Sequence, residues 1–194
     1  MANTDAPFGF RPNSHQAGGT PARVGGYNIA FDYATAIFSG QLVRSSGSAR
    51  EIISVPDEAD DFLLGIFAGC QYVNDANDII WSQFWPGVAL ADSNTIVECW
   101  VYDDPQLEYI AQISTLLEAD IGLLYAIDQT ATPGNTRTGR SGAFIDHAVT
   151  STPKVRITGL AENIGGIFPS EYGAFAKVRC VPLQHERNNY VTAI

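Results

Sequence analysis

Three cysteines, three histidines and one methionine leave this 194-residue chain poor in soft and imidazole ligands. Cys70, Cys99 and Cys180 are odd in number, far apart, and form no C-x-x-C pair. A zinc knuckle and a disulfide framework are therefore both excluded, and folding in a reducing compartment is expected. His15, His147 and His185 stand singly, with no H-E-x-x-H, so no metal site is expected. No apolar run approaches the roughly 18 residues of a membrane span, and the N-terminus lacks a basic, apolar signal pattern. The expectation is a soluble chain made in a cytoplasm.

Bases are missing from a whole section. Between residues 51 and 136 there are fifteen acids and not one Lys or Arg, whereas 1–50 carry +2 and 137–194 carry +3, which recovers the net charge of -10. A stretch without cations cannot displace counterions from a phosphate backbone, so nucleic acid and anionic membrane are excluded as its partners. The reading is a solvated, acidic face turned outward. Charged residues are only 16% of the chain and hydrophobic ones 45%, which excludes disorder and predicts one packed core.

What is present divides into an arm and a body. Residues 1–26 hold Pro7, Pro12 and Pro21 with five glycines and little periodicity. Proline removes donors and fixes φ, while glycine is entropically costly to order, so the segment is expected as an extended N-terminal arm. Stretched, it reaches about 85 Å, at about 3.3 Å per residue. A compact body of this size has a radius of gyration near 16 Å, so the arm is long enough to lie on a neighbouring subunit. Phe8 and Phe10 are apolar anchors suited to a pocket, and Arg11 and Arg23 are cations suited to a carboxylate.

Residues 27–194 read as a single β-rich body. Tyr27, Ile29 and Phe31 alternate with polar or small residues, the period of a half-buried strand. Further strands are expected at 36–44, 51–55, 62–72, 79–85, 96–102, 107–113, 143–149, 154–160 and 174–183, separated by Gly, Pro, Asn and Asp turns. Such spacing predicts a mostly β fold, a sandwich, jelly roll or barrel of short strands, with at most one or two short helices. The one helical candidate is 114–124. Trp81 and Trp85, four apart, are expected on one strand face with Phe84 opposite, packed in the core.

Chemistry is sparse. No P-loop, dinucleotide fingerprint or G-x-S-x-G elbow occurs. Ser141, Asp146 and His147 are the nearest approach to catalytic material, but adjacent strand residues point to opposite faces, so they read as a strand edge. Asn74, Asp75, Asn77 and Asp78, and separately Asp57, Glu58, Asp60 and Asp61, gather oxygens without calcium-loop spacing and read as polar turns. The Thr/Gly-rich loop 130–142 is long enough to make contacts, through Arg137 and Arg140. No catalytic residues and no cofactor are expected. The chain does not read as an enzyme.

Whole stretches carry a resemblance. MANTDAPFGFRP and GGTPARV at the start, then ATAIFSGQLV, VYDDPQLEY and EADIGL, and finally KVRITGL and YGAFAKVRCVPLQHERNN occur in order. So arranged, the chain resembles small structural proteins of tailed bacteriophage heads. The resemblance implies a decoration or cement protein, made in the bacterial host cytoplasm, that binds the capsid exterior and stabilises the shell. Its partners would be the major capsid protein and further copies of itself, a homotrimer for preference with a dimer as alternative. Phe8, Phe10, Arg11 and Arg23 would make arm contacts, and Arg137 and Arg140 loop contacts. Two other readings stand beside it: a glycan- or host-surface-binding β-module displaying Trp81, Trp85 or Trp100, and a neck or tail component.

Overall fold

The structure, a computed structural model, describes residues 3–48, 50–55, 62–87, 96–130, 133–148, 152–161 and 170–187. Strands are numbered in chain order. One six-stranded antiparallel sheet runs β1 (Arg11–His15), β10 (Leu107–Gln112), β18 (Lys177–Pro182), β16 (Val155–Leu160), β12 (Leu124–Asp128) and β15 (Phe144–Asp146). The other runs β2 (Val24–Ile29), β9 (Val97–Tyr102), β6 (Gly65–Val73), β4 (Leu42–Ser45) and β5 (Ile52–Ser54). Its sixth strand, β7 (Ile79–Ser82), pairs with the second half of β6, while β4 pairs with its start. Three short pairs complete the fold: β3 (Ile37–Phe38) with β8 (Phe84–Trp85), β11 (Thr115–Leu116) with β17 (Gly173–Ala174), and β13 (Gly134–Asn135) with β14 (Arg140–Ser141). The chain is mostly β and sandwich-like.

Side-chain alternation explains the layers. In β9, Val97, Cys99 and Val101 are buried while Glu98 is exposed, and in β16 buried Val155 and Ile157 alternate with exposed Arg156 and Thr158. β4 and β6 bury both faces. Leu42 and Ile66 join Tyr109, Ile127, Ile157 and Val178 of the first sheet in one core. Val43 and Phe67 face the other way, into a second core with Tyr27, Cys99 and Trp85. The continuous apolar run of β6 suits a strand covered on both sides. A buried amide ties the layers: the Leu42 N–H donates to Gln129 Oε1 at 3.2 Å, and Gln129 Nε2 donates to the Leu42 carbonyl at 3.1 Å.

Four expectations need correction. The segment 1–26 is extended where described, but it lies on its own body. β1 pairs with β10, Phe10 is 1% exposed and meets Tyr109 edge to face at 6.4 Å, and the Phe10 N–H bonds the Gly40 carbonyl at 2.7 Å. Phe10 finds its pocket within the same chain. It is thus a core residue of its own chain.

Residues 114–124 form no α-helix. They give β11 and a single 3-10 turn, Glu118–Asp120, because Leu116 is taken into the core and buried Asp120 accepts the Leu117 N–H at 2.6 Å. The following LYAID, of which only Leu124 lies within the expected helix, is β12.

Trp81 and Trp85 do not share a strand face. The chain breaks at Gln83, whose carbonyl accepts the Ser39 N–H, and β7 and β8 belong to different sheets. Trp85 is fully buried, whereas Trp81 is 67% exposed.

The base-free tract 51–136 is not uniformly turned to solvent. Asp103 and Asp120 are buried, and Asp103 accepts Tyr27 Oη at 2.6 Å and Arg187 at 2.7 Å. Burial, then the hydrogen bond to Asp103, pushes the Tyr27 hydroxyl up to about 12. Asp57, Glu58, Asp60 and Asp61 lie outside the described residues.

Candidate functional site

β6 begins beneath the first sheet, where Ile66 enters the shared core, and then runs out from under it. On the same face, further along, Trp100 of β9 pairs opposite Gly69 and Trp81 of β7 opposite Gln71. The two indoles stack across the strand, ring centroids 5.3 Å apart and planes 18° from parallel. Gly69 has φ +131, and a Cβ there would sit 2.9 Å from the Ser82 carbonyl oxygen, so a glycine is required beneath the pair. Gly25 is the second close approach, since its Cβ would sit 2.9 Å from Trp100 Nε1.

Two other pieces of chain wall this open end. Arg140 of β14 bridges Ser39, whose N–H bonds the Gly139 carbonyl and whose carbonyl accepts the Ser141 N–H. Next to it Phe10 bonds Gly40, and Gly9, at φ +77, would place a Cβ 2.8 Å from the Gly40 oxygen. The tight crossing brings Arg11 and Arg140 to the same rim. The result is a groove of about 470 Å³, lined among others by Phe8, Arg11, Arg23, Trp81, Trp100 and Arg140, within the size range of ligand pockets. A second hollow of about 560 Å³ adjoins it, sharing Phe8 and Arg140 and adding Pro7 and Pro133.

Its electrostatics are distinctive. Arg11 lies 4.7 Å over the Phe8 ring and Arg23 lies 5.8 Å over Trp100. Among the described residues none of the Arg11, Arg23 and Arg140 guanidiniums has a carboxylate partner, whereas Arg187 holds Asp103 and Arg179 stands 4.0 Å from Glu108. Burial, followed by the like charge of Arg140, pulls the Arg11 guanidinium below its ordinary value. Three cations without a carboxylate partner among the described residues thus surround one concavity beside an exposed tryptophan.

Sequence reading had singled out Phe8, Phe10, Arg11, Arg23, Arg137 and Arg140. The structure gathers Phe8, Arg11, Arg23 and Arg140 in the groove. Phe10 reaches its lining but is buried, and Arg137 sits in the β13–β14 turn, its N–H on Asn135 Oδ1 at 2.9 Å, away from the lining. Trp81, expected in the core, is exposed. The available signal was Ser82-Gln83, two polar residues interrupting the apolar run before Phe84.

The other sequence candidates do not converge. Ser141 is buried and its Oγ accepts the Ala143 N–H at 3.0 Å; Asp146 accepts the Ala148 N–H. His147 pairs instead with Asp120, Nε2 to Oδ2 3.1 Å, and stacks on Tyr125. Burial pushes Asp120 upward, but hydrogen bonds from the Leu117 N–H and Tyr125 Oη and the nearby imidazole outweigh it, leaving the carboxyl below the usual range. Asn74 Oδ1 accepts the Ala76 and Asp78 N–H groups, the pattern of a polar turn. Among the described residues no group of three or more His, Cys, Asp or Glu is placed to hold a metal ion. All three cysteines are free and buried, and burial pushes Cys70 up to about 12. No helix among the described residues is long and apolar enough to cross a membrane.

Comparison with protein families, with curated proteins and with solved structures finds no match to this chain.

Proposed function

We propose that the chain is a structural protein of a tailed-bacteriophage particle that binds the outside of the capsid shell and stabilises it, docking through the arginine- and tryptophan-lined groove. The resemblance of its sequence motifs supports the virion setting. The observation that carries the docking role is the cluster of Arg11, Arg23 and Arg140, without carboxylate partners among the described residues, beside exposed Trp81. Arginine and tryptophan dominate the energetics of protein interfaces, and uncompensated cations select an acidic partner. Repetition over a symmetric shell adds weak single contacts into tight attachment. The partners are the major capsid protein and further copies of this chain, and no chemical step is assigned to it.

A second reading has one observation in its favour. Trp81 is exposed rather than core, which suits a saccharide-binding module as well as a protein contact. Imaging of purified virions, with copy number by mass spectrometry, separates the readings. Copies distributed over the whole shell are expected. A single ring at the portal vertex, or absence from the particle, overturns the proposal.

A further inference from the structure

We propose that the groove receives an extended acidic segment of the shell subunit, with Arg11 and Arg140 sharing one of its carboxylates and the open face of Trp81 covering a neighbouring ring side chain. This rests on the shell-binding reading and names the chemistry of its partner.

Arg11 and Arg140 line the same groove and repel one another, with no counter-charge among the described residues, an arrangement that costs free energy until an anion enters. A guanidinium presents a planar fork that matches a carboxylate, and two forks on one rim can take its two oxygens from different sides. The lowered Arg11 value has the same origin, burial and then its neighbour's charge. Nothing within the chain fills this role among the described residues.

The tryptophans supply the second half. One face of Trp81 rests on Trp100, so its 67% exposure comes from the remaining face and edges. Trp100 is itself fixed, by Gly25 on one side and Arg23 over its ring. The platform is therefore formed before a ligand arrives, which saves ordering entropy on binding.

Size and charge select among anions. A lone phosphate would meet the arginines but leave Trp81 and most of the 470 Å³ unused. A nucleic-acid strand would bring phosphates along a chain of net charge -10. An acidic peptide brings a local charge and a ring together, and it can continue past Phe8 and Arg140 into the adjoining hollow lined by Pro7 and Pro133.

The test uses the full chain and a blocked peptide, Gly-Glu-Asp-Phe-Pro-Gly, titrated to millimolar concentration while tryptophan fluorescence is followed. Saturable binding is expected, weakened at least tenfold by Arg11→Ala with Arg140→Ala and, separately, by Trp81→Ala. Arg140→Lys, which keeps charge but loses the fork, should bind in between. Arg11 and Arg140 sit at the surface, Arg11 with its guanidinium partly buried, and circular dichroism confirms that the variants fold. Peptides with Ala replacing either the acids or the Phe should bind at least tenfold more weakly. Absence of binding, equal binding of the Ala peptides, complete competition by equimolar inorganic phosphate, or tenfold tighter binding of oligogalacturonate would each overturn the assignment. If Arg11→Ala/Arg140→Ala chain still coats heads normally, this inference fails while shell binding stands; if wild-type chain never coats heads, the shell reading fails.

Discussion

Trp81 and Trp100 stack across β6 at 5.3 Å, over a position where the strand carries glycine. The pair marks the place where the first sheet no longer covers the second. Apolar surface that a longer sandwich would bury is used here as an exposed platform, ringed by cations.

The two tryptophans of the IIWSQFW run should therefore behave oppositely. Trp85→Ala empties a fully buried site in the second core and should cost about 3–5 kcal/mol. Trp81→Ala loses a stacking contact at the surface and should cost about 1 kcal/mol or less. Urea denaturation of both variants checks this, and comparable losses would contradict the placement of Trp81.

Gly25→Ala should disturb the platform without touching any charge. The added methyl would lie 2.9 Å from Trp100 Nε1, so the ring must shift and its stack with Trp81 is disturbed. The stacked pair should give an exciton couplet in circular dichroism that Gly25→Ala weakens, together with a loss of peptide affinity. An unchanged couplet would show that Trp100 is not held from this side.

Gln129→Leu probes the tie between layers. It keeps the side chain's bulk but strips the Leu42 N–H and the Val55 carbonyl of their Gln129 partner in a dry environment, while the Leu42 carbonyl keeps the Val55 N–H. With about 1–3 kcal/mol for each buried group left unpaired, a loss of at least about 2 kcal/mol is expected in urea denaturation.

Acid should weaken the fold before the carboxylates titrate. Burial pulls His185 down to about 4, opposed by Asp103, a hydrogen bond to the Leu64 backbone and Asp104, and assisted by Arg187. The unfolded chain takes up this proton near 6.5, the folded chain only near 4. Unfolding therefore gains a proton between those values, and stability, full above pH 6.5, falls as pH drops toward 4. His185→Gln should flatten that part of the stability curve. A variant as pH-sensitive as the wild type would contradict the assignment.

The strands were legible where alternation was strict, as in Val97, Cys99 and Val101 against Glu98, or where an apolar run such as GIFAGC announced burial on both faces. β1 was not, because Arg11 to His15 has no apolar alternation; its place comes from the ladder with β10 and from neighbouring Phe10. The 114–124 segment failed for the reverse reason: Leu116, Leu117, Ile121 and Leu123 suggested a helix, but only Leu116 enters the core. Arg11, Arg23 and Arg140 were visible as single cations. Their convergence depends on the Gly9–Gly40 crossing and the Ser39–Arg140 bridge, long-range contacts that no local spacing encodes.

Occupancy of purified heads stripped of this protein, measured after adding back wild-type chain or Arg11→Ala/Arg140→Ala chain of equal stability, tests the central claim most directly. The wild type should coat the shell in regular copies and raise its resistance to heat, and the double variant should do neither. Equal coating by both chains, or none by the wild type, would contradict it.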